Sequence, residues 1–482
     1  MKFSNIDLSD FDLKKRNSDK KNPKNSKKIF AVLGTTFLTI AILTAVFFLW
    51  SASFFKTQNV KPLSEEQTAS LNAFLNQTYS LKRSESLKPL PYPIVAADLE
   101  VDSGAAILVD AKNGCILFEK NADEVIPPAS ITKLFVMYIV FKEIENGNLS
   151  LDELVSPPEN SWSINMPSDA SLMFLGQGQI VTVRELLTGL AVASGNDAAL
   201  ALAYKISGST KDFVARMNYE AKILGLTHTH FEEPSGYSEK NVTTARELAE
   251  FCRIYINRYP ESLRDYHSAK EILYPLEKNL PSWEKAKGDS TAIYQRNTNP
   301  LLGKMEGCDG LKTGFIYESG YNLALTAKRN GVRFLSVTMK GPGTGSKQGN
   351  FYRIKDGTTL MEWAFSSFAD YIPENKIQKN YPVAVPGAKT KFVNLVPAWT
   401  NAVTVPHISS QTAAEDAENV IAEIQLPKCI YGGTKLGAVY GQIQYKLGNT
   451  VLETVPLVAD RTAQKAGLWG QFCGKLACLR IR

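Results

Sequence analysis

The sequence predicts an α/β protein: a mixed domain of helices and strands in the middle of the chain, followed by a small β-rich domain. Three observations carry that prediction. Between Ala105 and Lys340, segments with strand character alternate with segments of helical spacing. From about residue 381 the helical pattern gives way to short β-branched runs. A chain of 482 residues, 44% hydrophobic and 21% charged, is globular and too long for one ordinary core.

The elements follow in order. Residues 1–28 form a basic arm in which nine Lys/Arg face four Asp, so most of the net charge of +6 sits there. The rest is nearly neutral, which excludes a nucleic-acid surface as the chain's main business. Residues 29–55 carry no charge and exceed the ~20 residues needed to cross a bilayer as a helix. With basic residues ahead of it, this segment predicts a single membrane span, cytoplasmic N-terminus and exported remainder. Ser51-Ala52-Ser53 leaves a cleaved signal peptide as the rival reading.

Residues 56–96 read as a linker. Ser64-Glu65-Glu66-Gln67 is a capping box, with Leu71, Phe74 and Leu75 following at helical spacing. Pro89, Pro91 and Pro93 then stiffen the approach to the main domain, set at 97–372. Ala105 to Phe118 predicts two strands joined at Asp110–Gly114. A helix is predicted from near Ser130, ending at Asn146-Gly147. Thr182-Val183-Arg184-Glu185 caps another helix, which breaks at Ser194-Gly195-Asn196 before a third from Ala198 to Ile206. Asn330-Gly331 predicts a hairpin between strands over 322–328 and 332–340. The β-rich domain is set at 381–465, with one helix over 412–420. The last segment, 466–482, places Leu468, Phe472, Leu476 and Leu479 near one helical face. It reads either as a membrane-surface tail or as a terminal helix packed on its own domain.

Six cysteines form no tight framework, and Cys473 and Cys478 are a candidate pair. No Cys-x-x-Cys or His-Glu-x-x-His pattern is present, and His228 and His230 have no third ligand in view. No metal and no cofactor is expected.

The chemistry lies in three short motifs: Ser130-Ile131-Thr132-Lys133, Ser194-Gly195-Asn196 and Lys312-Thr313-Gly314. Ser-x-x-Lys alone is weak, since it recurs at Ser18/Lys21, Ser53/Lys56 and Ser282/Lys285. Ser130 differs by its place at a helix start, where the helix dipole favours negative charge on its oxygen. Lys133, one turn on, can take the Ser130 proton if desolvation or a nearby cation keeps the amine neutral. Ser194 can relay that proton to a leaving amine. Asn196 offers an amide to Lys133 and to the substrate backbone. Lys312 supplies a cation for a substrate carboxylate, and Gly314 allows close backbone approach. Each motif alone is an ordinary turn or strand end; the three in this order form an acyl-transfer site without histidine.

These motifs, with Asp197-Ala198, Met217-Asn218, Leu224-Gly225, Asp309-Gly310-Leu311 and Gly320-Tyr321-Asn322, resemble the serine-type D-Ala-D-Ala carboxypeptidases, the low-molecular-mass penicillin-binding proteins. The resemblance runs from about Ala105 to Ala369, and more weakly to about residue 465. It implies an antiparallel sheet between helices, a helical subdomain bearing the Ser194 motif, and a β-rich C-terminal domain. It implies removal of the terminal D-Ala from peptidoglycan stem pentapeptides, and covalent trapping by β-lactam antibiotics. It makes Ser130 the nucleophile, Lys133 the base, and Ser194 and Asn196 the proton-transfer and positioning groups. Lys312 and Thr313 would bind the terminal carboxylate, and the amides of Ser130 and Phe315 would form the oxyanion hole. Arg296 and Arg353 resemble arginines near the site in relatives. Phe315 stands where the family commonly has a small polar residue or histidine, and the stretch from about Ser268 to Ala292 is longer than usual. A β-lactamase is the first rival, but no Glu-x-x-x-Asn follows the second motif to activate a deacylating water. A non-catalytic cell-wall protein is the second, and the intact motifs argue against it.

Overall fold

A computed structural model describes residues 34–46, 60–79, 86–94, 98–286, 292–373, 376–408 and 412–481. The basic arm and most of the predicted span 29–55 lie outside them. Within that span, residues 34–46 form an exposed helix, and among the described residues no helix is long and apolar enough to cross a membrane.

The linker helix α1 (Glu65–Thr78) carries the predicted capping box at Ser64. It does not stand free: Leu71 and Leu75 join the core of the β-rich domain, and Phe74 packs over Gly437. The prolines that follow are also docked. Strand β1 (Lys88–Pro89) pairs in parallel with Cys115–Ile116 at the sheet margin, where a proline's missing N–H is tolerated.

The central sheet has the order β1-β3-β2-β10-β9-β8. Its strands are β2 (Ala105–Asp110), β3 (Cys115–Lys120), β8 (Cys308–Ile316), β9 (Gly320–Arg329) and β10 (Val332–Gly341), antiparallel apart from β1. Both faces are buried, and side-chain alternation sorts them into two cores. Ala105, Ile107, Val109, Ala324, Leu335 and Val337 face the large helical layer. Ala106, Leu108, Leu323, Leu325 and Phe334 face the long helix α7 (Ser346–Ser367), which covers the other side. The β9–β10 turn has Asn330 and Gly331 both at positive φ, as the Asn-Gly pair predicts.

The helical layer contains α2 (Lys133–Glu145), α3 (Val183–Thr188), α4 (Asn196–Ser207), α5 (Thr210–Ile223) and α6 (Ala245–Arg258). The predicted capping box at Thr182 opens α3, which widens into a π-turn over Gly189–Ala193 and stops at Ser194. A two-residue pair, β4 (Leu154–Val155) with β5 (Val181–Thr182), leads into α3, and a short arm, β6 (Glu271–Tyr274) with β7 (Ile293–Arg296), leads back to the edge strand β8.

The C-terminal domain is β-rich, as expected. Its five-stranded sheet runs β12 (Tyr381–Ala384), β13 (Phe392–Pro397), β17 (Thr450–Ala459), β16 (Val439–Leu447), β15 (Ile421–Gln425). A pair, β11 (Phe368–Tyr371) with β14 (Val403–Pro406), connects it to α7. Helix α8 (Ala413–Glu418) starts at the Thr412 capping box, and α9 (Leu468–Ile481) ends the chain. On α9 Cys473 and Cys478 project about 140° apart, so the candidate pairing of these two fails on helix geometry. His228 Nδ1 sits 2.9 Å from Glu247 Oε1, and no metal cluster of three or more His, Cys, Asp or Glu occurs among the described residues.

Candidate active site

Pro127-Pro128 halts the preceding extended segment, and the chain turns through Ala129, which holds a positive φ of 52°. One 3₁₀ turn, Ala129–Thr132, carries Ser130 and runs directly into α2. Lys133 is the first residue of α2 and is completely buried. Its Nζ lies 2.8 Å from Ser130 Oγ, 2.7 Å from Asn196 Oδ1 and 2.5 Å from the Ser235 carbonyl oxygen. Three oxygens around one nitrogen have a simple chemical meaning. A neutral amine has two N–H donors and one lone pair. Asn196 Oδ1 and the Ser235 carbonyl can only accept, so they take the two donors. The lone pair is left for the one partner that carries a proton, the Ser130 hydroxyl.

Electrostatics point the same way. Burial lowers the Lys133 pKa from 10.5 to about 7, while Glu233 and Asp197 oppose the shift. Desolvation outweighs both carboxylates because neither makes a direct ion pair with the amine.

The second wall is the break between α3 and α4. Ser194 is held in the left-handed conformation at φ 59°. Asp197 fixes this bend: its buried carboxylate accepts from the amides of Met173, Phe174, Leu175 and Ala198 at 2.8–3.0 Å. The Asn196 amide donates to the Ser171 carbonyl. These bonds aim the Asn196 side chain at Lys133.

The third wall is the edge strand β8. Lys312 is buried, its Nζ donates to the Thr313 carbonyl at 3.0 Å, and its pKa is pushed well down by burial, Lys133 and Arg353. An anionic guest would favour the charged form of Lys312 and offset this burial, so the position suits a carboxylate. Thr313 Oγ1 donates to Thr298 Oγ1 at 2.8 Å. At Gly314 any Cβ would meet the Pro128 carbonyl oxygen at 2.5 Å, so glycine lets β8 press against the nucleophile turn.

Strand parity decides what the remaining predicted residues do. Gly314 faces Ser130, so Phe315 faces away. Its ring stacks on Tyr321 at 4.4 Å, and Tyr321 in turn packs on Gly349 and Arg353 of α7. The Phe315 side chain therefore leans away from the nucleophile turn, and only its backbone stays at the strand edge. Arg353 is buried behind the strand. It donates to the carbonyls of Asn322 and Gly314 and to Asn350, so it braces β8 instead of reaching into the cleft. Arg296 is exposed at the end of β7, two residues ahead of Thr298.

Sequence reasoning missed the loop that closes the cage. Ser235 supplies a backbone carbonyl, which no side-chain motif announces. Gly236 holds φ 81°, and a Cβ there would meet the Ala129 carbonyl oxygen at 1.9 Å. Glu233 folds this loop by accepting from the amides of Ser235, Gly236 and Tyr237. The available signal was Glu-Pro-Ser-Gly, a turn sequence with a ready acceptor.

Fold and geometry together define a serine hydrolase whose nucleophilic hydroxyl is paired with a buried lysine in place of histidine. Comparison with known proteins makes this specific. Residues 93–343 match the family described as D-alanyl-D-alanine carboxypeptidase, and residues 373–465 match the C-terminal domain of penicillin-binding protein 5. The chain is 30% identical over 373 residues to D-alanyl-D-alanine carboxypeptidase DacF of Bacillus subtilis, covering 77% of this chain and 88% of the relative. It is 31% identical to DacC of Escherichia coli over 375 residues, covering 77% and 86%. Penicillin-binding protein 5 of Haemophilus influenzae superposes with a TM-score of 0.63 at 27% identity, covering 77% of this chain and all of that one. The protein belongs to the D-alanyl-D-alanine carboxypeptidase family of low-molecular-mass penicillin-binding proteins, and is a serine-type carboxypeptidase of the cell wall.

Proposed function

We propose that Ser130 forms the acyl-enzyme in the removal of the terminal D-Ala from peptidoglycan stem pentapeptides, with Lys133 as its base. The observation that supports this most is the three-oxygen cage around Lys133 Nζ, which leaves the amine lone pair to the Ser130 hydroxyl. Lys133 takes the Ser130 proton as Oγ attacks the penultimate D-Ala carbonyl. The amides of Ser130 and Phe315 receive the developing oxyanion. Ser194 passes the proton to the departing D-Ala nitrogen, and Asn196 orients Lys133 and the peptide. Lys312 and Thr313 hold the terminal carboxylate, while Arg353 fixes the strand that presents them. Water then attacks the acyl-enzyme by the reverse proton path. A β-lactam offers the same carboxylate and a strained amide, so it acylates Ser130 and stays.

A labelled penicillin is expected to add to wild-type protein and not to Ser130→Ala, read by intact mass. An adduct on the mutant sinks the nucleophile assignment. D-Ala release from a pentapeptide, absent in Ser130→Ala, tests the reaction itself.

The uncharged run 29–55 supports a single N-terminal span with the enzyme outside the cytoplasm, and the exposed Leu468, Trp469, Phe472 and Leu479 support α9 as a surface-lying tail. Resistance of the full chain to alkaline extraction from membranes, lost on deleting residues 1–55, tests the span. Intact mass of the mature protein separates it from a cleaved leader.

A further inference from the structure

Helix α9 docks on the β-rich domain through its smallest side chains. Gly474 comes so close to Gly387 that a Cβ would lie 2.2 Å from the Gly387 nitrogen. Ala477 is buried, and the Tyr431 hydroxyl donates to the Gln471 carbonyl at 3.0 Å. The large apolar side chains point outward: Leu468, Trp469, Phe472 and Leu479 are all exposed. A docking face of glycine and alanine removes little apolar area from water, so hydrophobic burial alone holds this helix weakly.

The last turns of α9 carry a different contact. Cys478 Sγ lies 2.8 Å from Cys429 Sγ, in the loop between β15 and β16. Backbone bonds fix that loop against β12: Ile430 N–H donates to the Ala384 carbonyl and Gly432 N–H to the Pro386 carbonyl. Closing to the ~2.05 Å of a disulfide takes under an ångström of movement. The other cysteines are poor rivals. Cys115 and Cys252 are buried in the catalytic domain, and the Cys308 thiol lies beside the Gly310 carbonyl. Cys473 projects to another side of α9.

We propose that Cys429 and Cys478 form a disulfide that clamps the C-terminal helix onto the β-rich domain with its large apolar side chains facing outward. The clamp rests on the reading that this domain lies outside the cytoplasm, where disulfides persist. Each thiol gives up a proton, and the pair gives two electrons to a small-molecule or protein disulfide. That acceptor takes up the two protons and leaves as two thiols, and one S–S bond replaces two S–H bonds in the protein.

The test uses the purified full chain equilibrated with oxidised glutathione, which probes the geometry independently of the compartment. After alkylation and digestion without reductant, a peptide pair joining Cys429 to Cys478 is expected, with Cys473 alkylated. Glutathione adducts on separate cysteines, or a link through Cys473, overturn the proposal. Limited trypsinolysis at Lys475 reads the clamp: Cys429→Ser should be cut several-fold faster than oxidised wild type, and Cys473→Ser at the wild-type rate. Equal cutting of Cys429→Ser and oxidised wild type also overturns it. Reduced wild type cut at the same rate as Cys429→Ser shows that the variant has lost the clamp and kept the fold of the β-rich domain; slower cutting of reduced wild type overturns the reading.

Discussion

Replacing Asn196 by aspartate tests the proposal that Lys133 is held neutral as the base. Asn196 Oδ1 lies 2.7 Å from Lys133 Nζ and carries no charge. With that neutral partner, burial sets the Lys133 pKa at about 7 in place of 10.5. The difference corresponds to about 5 kcal/mol. In kinetic terms, about half of the lysine is neutral at pH 7, against roughly one molecule in 3,000 at the ordinary value. Asn196→Asp keeps the shape and adds a carboxylate in direct contact. An opposite charge at that range raises an amine's pKa by about 1–3 pH units. Taking about two, the neutral fraction at pH 7 falls roughly 50-fold, and so does acylation.

The assay is the second-order rate constant for acylation by a fluorescent penicillin, measured from acid to alkaline pH. In the wild type the rate should climb through about pH 7. In Asn196→Asp the climb should move to about pH 9, with a plateau within a few-fold of wild type. Glu233→Gln is the opposing control. Glu233 holds the Lys133 pKa up, so its neutralisation should move the climb toward acid pH. A climb that stays at neutral pH in Asn196→Asp, with the rate lowered equally everywhere, would refute Lys133 as the titrating base.

Other consequences follow from named contacts. Gly236→Ala places a methyl on the Ala129 carbonyl oxygen, so penicillin acylation should fall at least a hundredfold while circular dichroism stays native; near-wild-type acylation would show that the loop gives way freely. Lys312→Ala removes a charge-assisted contact of about 1.5–3 kcal/mol, so acylation should slow roughly ten- to a hundredfold. A penicillin methyl ester should lose much less, and an equal loss would argue against carboxylate binding there. At the domain seam, both Asp370 carboxylate oxygens are buried without a donor, and burial beside Asp110 raises the Asp370 pKa well above the usual range. Its folded-state pKa therefore exceeds the unfolded one, so its contribution is present at acid pH and is lost as pH rises through the folded value. Asp370→Asn should flatten that decline, which is about 1.4 kcal/mol per pH unit within the window; parallel urea-unfolding stabilities for both proteins would exclude it.

The limits of the sequence are physical ones. Ser130, Lys133 and Lys312 were legible because their chemistry is local: a helix turn sets one spacing and a strand edge the other. Capping boxes at Ser64 and Thr182 were legible for the same reason. The Ser235 carbonyl was not, since it is a backbone atom brought to Lys133 from 102 residues away. Nor was the docking of α1 on the C-terminal domain, which depends on where Gly437 opens a space for Phe74.

Phe315 and Arg353 show a subtler limit. Their positions beside the third motif and on the covering helix were readable, but their direction was not. Direction follows from the register of β8 on β9, which pairs Phe315 with Tyr321 and puts both on the α7 side. Once parity is known, the departure at Phe315 has less reach than its position suggested. The oxyanion donor proposed there is a backbone N–H, common to any residue, and the ring is occupied with Tyr321. Arg353 then links that aromatic stack to the Gly314 carbonyl, so the stack acts on the reaction through the placement of the strand edge. On this argument Phe315→Ala should lower acylation modestly and leave its pH profile in place, because it loosens β8 without touching the Lys133 cage. A shifted profile would mean that the ring reaches the charged centre after all.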